Sequence, residues 1–176
     1  MEMLSELFNE FGSFGPIILI FLSMYLLWNK NNLFFYYTVG VFIDNILNLI
    51  LKGLFLQPRP NIDKKSFDLA LQHGKRFIFK DGIPYDLFGM PSGHSQSSFF
   101  STIFIYLALR KNNIAYTYLA ISLLTMTQRV ISNQHTIPQV CAGAILGCCS
   151  GYLFYYIATQ KVKGQIREKP DDFGPI

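Results

Sequence analysis

Gly89-Met90-Pro91-Ser92-Gly93-His94-Ser95-Gln96 lies where a polar stretch ends and an apolar run, Phe99 to Leu109, begins. Pro91 cannot continue a preceding helix and Ser92 is a favoured N-cap, so a helix is expected to start here and continue into the apolar run. The first N–H groups of such a helix have no partner within it, and they attract anions, phosphate above all. Gly93 lets the backbone approach a bound group closely, and His94 falls in the first turn beside any anion held there. The octapeptide reads as a phosphate-handling device at the mouth of a hydrophobic segment. Taken alone, Pro-Ser-Gly is also ordinary helix-start punctuation, so the remainder of the chain has to decide.

The chain has 176 residues, of which 51% are hydrophobic, 16% aromatic and only 15% charged. A soluble domain carries roughly 25% charged residues. The apolar residues come in blocks rather than at an amphipathic period, which argues for an integral membrane protein of one domain. The net charge is +4, but the basic residues form no long run and no nucleic-acid motif is present, so a nucleic-acid partner is not expected. Cys141, Cys148 and Cys149 all fall in one apolar block. There they read as small helix-packing residues rather than a disulfide framework or zinc site. Glu2, Glu6 and Glu10 deny the N-terminus the basic flank of a signal peptide, so the first apolar block is expected to be kept as a span.

Five blocks follow in order. Phe14 to Trp28 is short and interrupted early by Gly15-Pro16; a polar turn, Asn29 to Asn32, leads to Leu33–Leu51, long enough to cross a bilayer. Asp44, Asn45 and Asn48 within that second block are costly against lipid and should face protein or a polar cavity. Lys52 sits at its end, and Gln57-Pro58-Arg59-Pro60 cannot be a regular helix interior. Residues 61–88 form a polar loop whose aromatic content suits a lid at the membrane surface. Within it Arg76 to Tyr85, centred on Asp81-Gly82, suggests a small hairpin, and His73 reads as a surface histidine without a partner. The third span runs from about Ser95 to Leu109, the fourth from Ile114 to about Thr127 and the fifth from Ile137 to Ile157. The fifth carries Gly143, Gly147 and Gly151 at four-residue spacing, a pattern that permits close helix packing within the monomer. Residues 161–176 are read as a polar, flexible tail.

Five spans place Lys52, Arg59, the long loop, His94, Arg129 and His135 on one membrane face, with the turn at Asn29–Asn32, Arg110-Lys111 and the basic tail on the other. Three separated segments thus deliver three cations, two histidines and a helix N-terminus to one side. Phosphate chemistry needs such a set: Lys and Arg neutralise phosphoryl oxygens, backbone N–H groups meet charge developing in the transition state, and one histidine can attack phosphorus while the other protonates the leaving oxygen. Each member alone has an ordinary explanation. Lys52 can snorkel, Arg59-Pro60 can be a turn, Arg129 can anchor to headgroups, and Thr136-Ile137-Pro138-Gln139 fits a capping box. Their convergence favours a site. The histidines lack metal-ligand spacing, and no metal or cofactor is expected.

Lys52 followed by Arg59-Pro60, then Pro91-Ser92-Gly93-His94, then Arg129 followed by His135, resembles the type 2 phosphatidic-acid phosphatase superfamily over about Leu33 to Ile157. The resemblance implies a multi-span, metal-independent lipid phosphatase in which His135 is the nucleophile, His94 the general acid, and Lys52, Arg59, Ser92, Gly93 and Arg129 hold the phosphate. Two positions depart from the common pattern: Gln128 stands where Ser is usual before the arginine, and Gln139 where Asp usually orients the nucleophile. Gly89-Met90-Pro91-Ser92, His94-Ser95-Gln96, Arg129-Val130 and His135-Thr136 with Gln139-Val140 look like the dolichyl-diphosphatase branch, which also carries Gln there. That branch implies cleavage of a polyprenyl diphosphate to the monophosphate on the luminal face of the endoplasmic reticulum, with Gln139 completing the catalytic set. The expectation is therefore an all-α integral membrane bundle of about five spans. Residues 1–160 would form one phosphatase domain with the 61–88 loop over the site. A broader lipid phosphate phosphatase, or a silent lipid-phosphate-binding protein, is the alternative.

Overall fold

The computed structural model describes residues 2–80 and 82–163. Five long helices form a bundle: α1 (Glu2–Leu27), α2 (Asn31–Phe55), α4 (Gly93–Leu109), α5 (Asn112–Ile131) and α6 (Ile137–Lys163). Between α2 and α4 lie a short helix, α3 (Lys64–Gln72), and a two-stranded hairpin, β1 (Phe77–Lys80) with β2 (Ile83–Asp86). The chain is an all-α membrane bundle. α6 continues to Lys163, three residues into the expected 161–176 tail, while residues 164–176 lie outside the described residues, as does Asp81 of the expected hairpin turn.

α4 is the central helix, packed against α1, α2, α5 and α6. Its closest neighbour is α6, for a reason written in the glycines. A Cβ on Gly143, Gly147 or Gly151 would run into the main-chain oxygen of Ser92, Gln96 or Phe100 respectively. The two backbones therefore touch, and the packing within the monomer expected from the four-residue spacing is present. Cys141 and Cys149 do not share it: both are exposed, and Cys148 is half-buried. Correcting the expectation, the packing stripe belongs to the glycines, and positions 141 and 149 turn to the opposite side of a 3.6-residue helix.

The bundle is apolar outside, and inside it an apolar cluster of Leu19, Leu27, Phe100, Phe104 and Ile105 lies among buried polar side chains. Phe21, Phe42, Leu54 and Ile145 are each at least 65% exposed. Ser23, Gln96, Ser101, Ser122 and Thr125 are fully buried. Hydroxyls bridge helices: Tyr37 to Ser101 at 2.8 Å, Ser23 to Tyr118 at 3.0 Å, and Thr102 to Ser122 at 2.8 Å. This is the arrangement expected where lipid rather than water surrounds the protein. By length and composition α1, α2 and α6 can each cross a membrane. α4 has 17 residues, and its serines lower its apolarity because they face protein. Asp44 and Asn48 are buried as expected, but Asn45 is exposed and returns its amide to Val41 O at 2.8 Å. A back-bond of that kind satisfies the donor without any interior partner.

α1 corrects a second expectation. It runs unbroken through Pro16 for 26 residues, so the first block is neither short nor interrupted. Gly15 lies against Thr125 and Gly12 against Gln128, so this half of α1 packs on α5. The 61–88 segment is also more ordered than a polar loop. Asp63 caps α3 by accepting from Ser66 N at 2.9 Å. Phe67 then packs with Leu87 and Phe88 in a small core of its own. The hairpin forms as expected, with Gly82 at φ +78° in its turn. His73 is exposed at the end of α3, its ring nitrogen Nδ1 2.8 Å from Leu69 O, so it has a partner after all.

Candidate active site

The start of α1, the end of α2, the start of α4, the end of α5 and the start of α6 meet at one end of the bundle. α2 stops at Leu56, whose φ of 47° turns the chain and whose N–H returns to Lys52 O at 3.1 Å. The next residues run antiparallel to the stretch that leads into the Gly89–Gln96 motif: Arg59 N meets Leu87 O at 3.2 Å and Gly89 N meets Gln57 O at 2.7 Å. Ser92 N donates to Gln139 O at 3.0 Å, fastening the motif to α6. Ser92 is the N-cap of α4, its hydroxyl accepting from Ser95 N at 3.5 Å. Beneath it Asn48 donates to Pro91 O at 3.3 Å and to Gln96 Oε1 at 2.8 Å. Gln96 in turn donates to both the main chain and the carboxylate of Asp44 at 2.9 Å, and Ser150 closes the set on Asp44 at 2.6 Å. Asp44 and Asn48 of α2 thus hold the α4 N-terminus in place.

His135 is 2% exposed. Nδ1 lies 2.9 Å from Gly89 O and 3.3 Å from Gln139 Oε1. The Gln139 amide is oriented by its other partners, since Oε1 accepts from Thr136 N at 3.2 Å while Nε2 donates to Pro58 O at 3.0 Å. Both neighbours of Nδ1 are therefore acceptors, Nδ1 carries the hydrogen, and Nε2 presents a lone pair. Arg59 Nη1 donates to that lone pair at 3.2 Å. Burial, then the charges of Arg59 and Lys52, push the ring down to about 3, so it is neutral at physiological pH. Gln139 makes both contacts that the sequence suggested for it: Oε1 accepts from Thr136 N and lies 3.3 Å from Nδ1 of the histidine ring.

Arg59 is aimed by three contacts: Nε donates to Asp86 O at 2.7 Å, Nη1 lies 3.5 Å from Gln134 Oε1, and the guanidinium carbon is 4.7 Å from the centre of the Tyr85 ring. Tyr85 OH bonds Gln134 Oε1 at 2.6 Å. Arg129 is held from another direction. Its Nε donates to Gln128 Oε1 at 2.6 Å and its Nη2 to Ser13 Oγ at 2.6 Å, while Gln128 Nε2 reaches Asn9 at 3.3 Å. Lys52 is buried and pairs with the Asp86 carboxylate at 3.0 Å. Asp86 also takes Arg76 at 3.1 Å. Burial alone would raise the Asp86 carboxyl, but the Arg76 hydrogen bonds and the Lys52 charge outweigh it and hold the group below its ordinary value. His94, half-buried in the first turn of α4, stands within the fields of Arg129, Arg59, Lys52 and His135.

The structure thus gathers Lys52, Arg59, Ser92, Gly93, His94, Arg129, His135 and Gln139 at one end of the bundle. Sequence reasoning missed Asp86, Tyr85, Gln134, Ser13 and the carbonyl of Gly89. The one signal for Asp86 was its place three residues before the motif; nothing local pointed to Ser13, 116 residues from its partner.

Known proteins can now be set beside this geometry. The family model of the PAP2 superfamily matches residues 33–163. Lipid A 4'-phosphatase of Helicobacter pylori is 39% identical over 92 residues, 52% of this chain and 46% of that protein. Dolichyldiphosphatase 1 of Dictyostelium discoideum is 24% identical over 161 residues, 85% of this chain and 63% of that protein. The chain spans about half to two-thirds of the length of these relatives. No solved structure matches it significantly.

Proposed function

The chain belongs to the PAP2 superfamily, and from that premise we propose that it is a metal-independent membrane phosphatase that hydrolyses a polyprenyl diphosphate of the dolichyl type to the monophosphate and inorganic phosphate. The observation that carries the reading is His135: a buried, neutral imidazole whose Nδ1–H is tied to Gly89 O and Gln139, and whose Nε2 lone pair accepts from Arg59 at 3.2 Å, a donor that a phosphoryl oxygen takes over when substrate binds. Nε2 attacks the terminal phosphorus, the P–O bond to the leaving phosphate breaks, and His94 gives that oxygen its proton. Water, deprotonated by His94, then cleaves the phosphohistidine and releases inorganic phosphate. Lys52, Arg59, Arg129 and the Ser92–Gly93 N–H groups receive the charge of the transferred group.

Residues 1–160 act in this reading as one domain, with the 61–88 segment over the site. A diphosphate suits Gln139, because a phosphate monoester leaves more readily than an alkoxide and needs less help from a charged third residue. Likeness to the Dictyostelium protein supports this substrate, and the resemblance of the Gly89–Gln96 motif to the dolichyl-diphosphatase branch extends the proposal to an endoplasmic-reticulum membrane with the site on the luminal face. The higher identity to a lipid A phosphatase, over a shorter stretch, favours a second reading, a lipid phosphate monoester as substrate.

The test is phosphate release in detergent with EDTA from a polyprenyl diphosphate, phosphatidic acid and lipid A, comparing wild type with His135→Ala. EDTA-resistant release from the diphosphate, abolished in the variant, is expected. Preference for a monoester moves the assignment to the second reading. Lipid binding without any release makes the protein a silent binder and overturns both.

A further inference from the structure

β2 leads through Leu87 and Phe88 to the Gly89–Gln96 motif, and Asp86, its last residue, touches Lys52 in the last turn of α2 and Arg59 just beyond that helix. The Asp86 carboxylate is saturated. Oδ1 accepts from Arg76 Nε at 3.2 Å and Phe88 N at 3.1 Å; Oδ2 accepts from Lys52 Nζ at 3.0 Å and Arg76 Nη2 at 3.1 Å. A carboxylate so occupied has no lone pair left for a substrate proton, which excludes an acid–base role. Its main-chain oxygen takes Arg59 Nε at 2.7 Å. Arg76, with its third contact to Leu49 O at 2.9 Å, pins the hairpin to α2.

We propose that Asp86 is a positioning residue for the phosphate cradle: its carboxylate presents Lys52, and its carbonyl aims Arg59, so that the surface hairpin is a working part of the site. This rests on the phosphatase reading and deepens it. Lys52 has a flexible four-carbon stem and an ammonium with three donors. One goes to Asp86, which leaves two to meet a phosphoryl oxygen. Without the carboxylate, Lys52 and Arg76 would be like charges sharing one oxygen position, and they would move apart. Loss of position then outweighs the gain in net positive charge.

The experiment compares wild type, Asp86→Asn and Asp86→Glu in two ways: KM for the polyprenyl diphosphate with Ki for inorganic phosphate, and equilibrium binding of inorganic phosphate by calorimetry. Asp86→Asn is expected to raise KM, Ki and the phosphate dissociation constant about tenfold, the scale of one charge-assisted hydrogen bond, with Asp86→Glu recovering part of the loss. A purely structural role would lower the amount of active protein and leave these constants unchanged, since none depends on the folded fraction. Constants equal to wild type, or tighter binding in Asp86→Asn, overturn the proposal. If wild type releases no phosphate but binds it, and Asp86→Asn binds it tenfold more weakly, the phosphatase reading falls and the positioning role stands.

Discussion

Replacing Gln139 by Ala separates two descriptions of how the nucleophile is oriented. In the usual superfamily pattern a carboxylate accepts from the histidine ring and supports its positive form. Here the shorter of the two acceptors is a main-chain oxygen, Gly89 O at 2.9 Å, and Gln139 Oε1 follows at 3.3 Å. Truncation therefore leaves the ring tautomer fixed and removes one long, neutral hydrogen bond. Such a bond contributes about 0.5–1.5 kcal/mol, which corresponds to roughly a twofold to tenfold loss in kcat/KM. The same substitution frees Thr136 N from its cap and Pro58 O from its donor, so thermal stability should also fall, by about 1 kcal/mol for the cap. The assay is phosphate release in detergent at several substrate concentrations, with the melting temperature measured on the same preparation. Undiminished kcat/KM would remove Gln139 from the orienting role. A loss of about a thousandfold, the size expected for a transition-state group, would refute the argument that Gly89 O alone keeps the tautomer.

Two further outcomes follow from particular contacts. Ser13→Ala removes the acceptor of Arg129 Nη2, so KM should rise about tenfold, about 1.5 kcal/mol for one lost bond to a charged donor, with kcat less affected; an unchanged KM would detach α1 from the site. The pH dependence of stability should show the buried ring of His135. The unfolded ring takes a proton near 6.5 and the folded ring only at about 3. Between those values the unfolded state binds more protons, so stability is full above about 6.5 and declines as pH falls toward 3. Melting temperatures from pH 7.5 to 4 should decline less steeply in His135→Gln than in wild type, and equal slopes would contradict the assignment.

How much of this was legible beforehand differs by residue, and the differences have a physical pattern. Signals that act within a few residues read correctly: Ser92 as a cap, Gly82 in the hairpin turn, the chain break after Lys52, the glycine spacing of α6. Signals that need a partner did not. Asn45 and Cys141 have residue types that suit an interior, yet the helix rotation that buries Asp44 and Gly143 puts them outside. Pro16 resembled a break because proline ordinarily ends a helix, whereas α1 continues through it with the small faces of Gly12 and Gly15 set against α5. Lys52 was read as a cation open to phosphate, and its pairing with Asp86 depends on a hairpin register that no local pattern reveals.

The two cations nearest the motif and the one from α5 are held by opposite means, and this bears on substrate charge. Lys52 and Arg59 lean on Asp86, an acid whose own charge is balanced by Arg76. Arg129 leans on Gln128 and Ser13, which are neutral and leave its charge whole. Gln128 occupies the position where the superfamily usually has a serine, and its longer side chain carries the contact on to Asn9 of α1. α1 precedes the residues matched by the family model, 33–163, yet it supplies Ser13 to Arg129 and Asn9 to Gln128. The departure at Gln128 is thus coupled to a helix outside the common core. Restoring serine there should shorten the reach from α5 and leave Arg129 with Ser13 as its one side-chain acceptor.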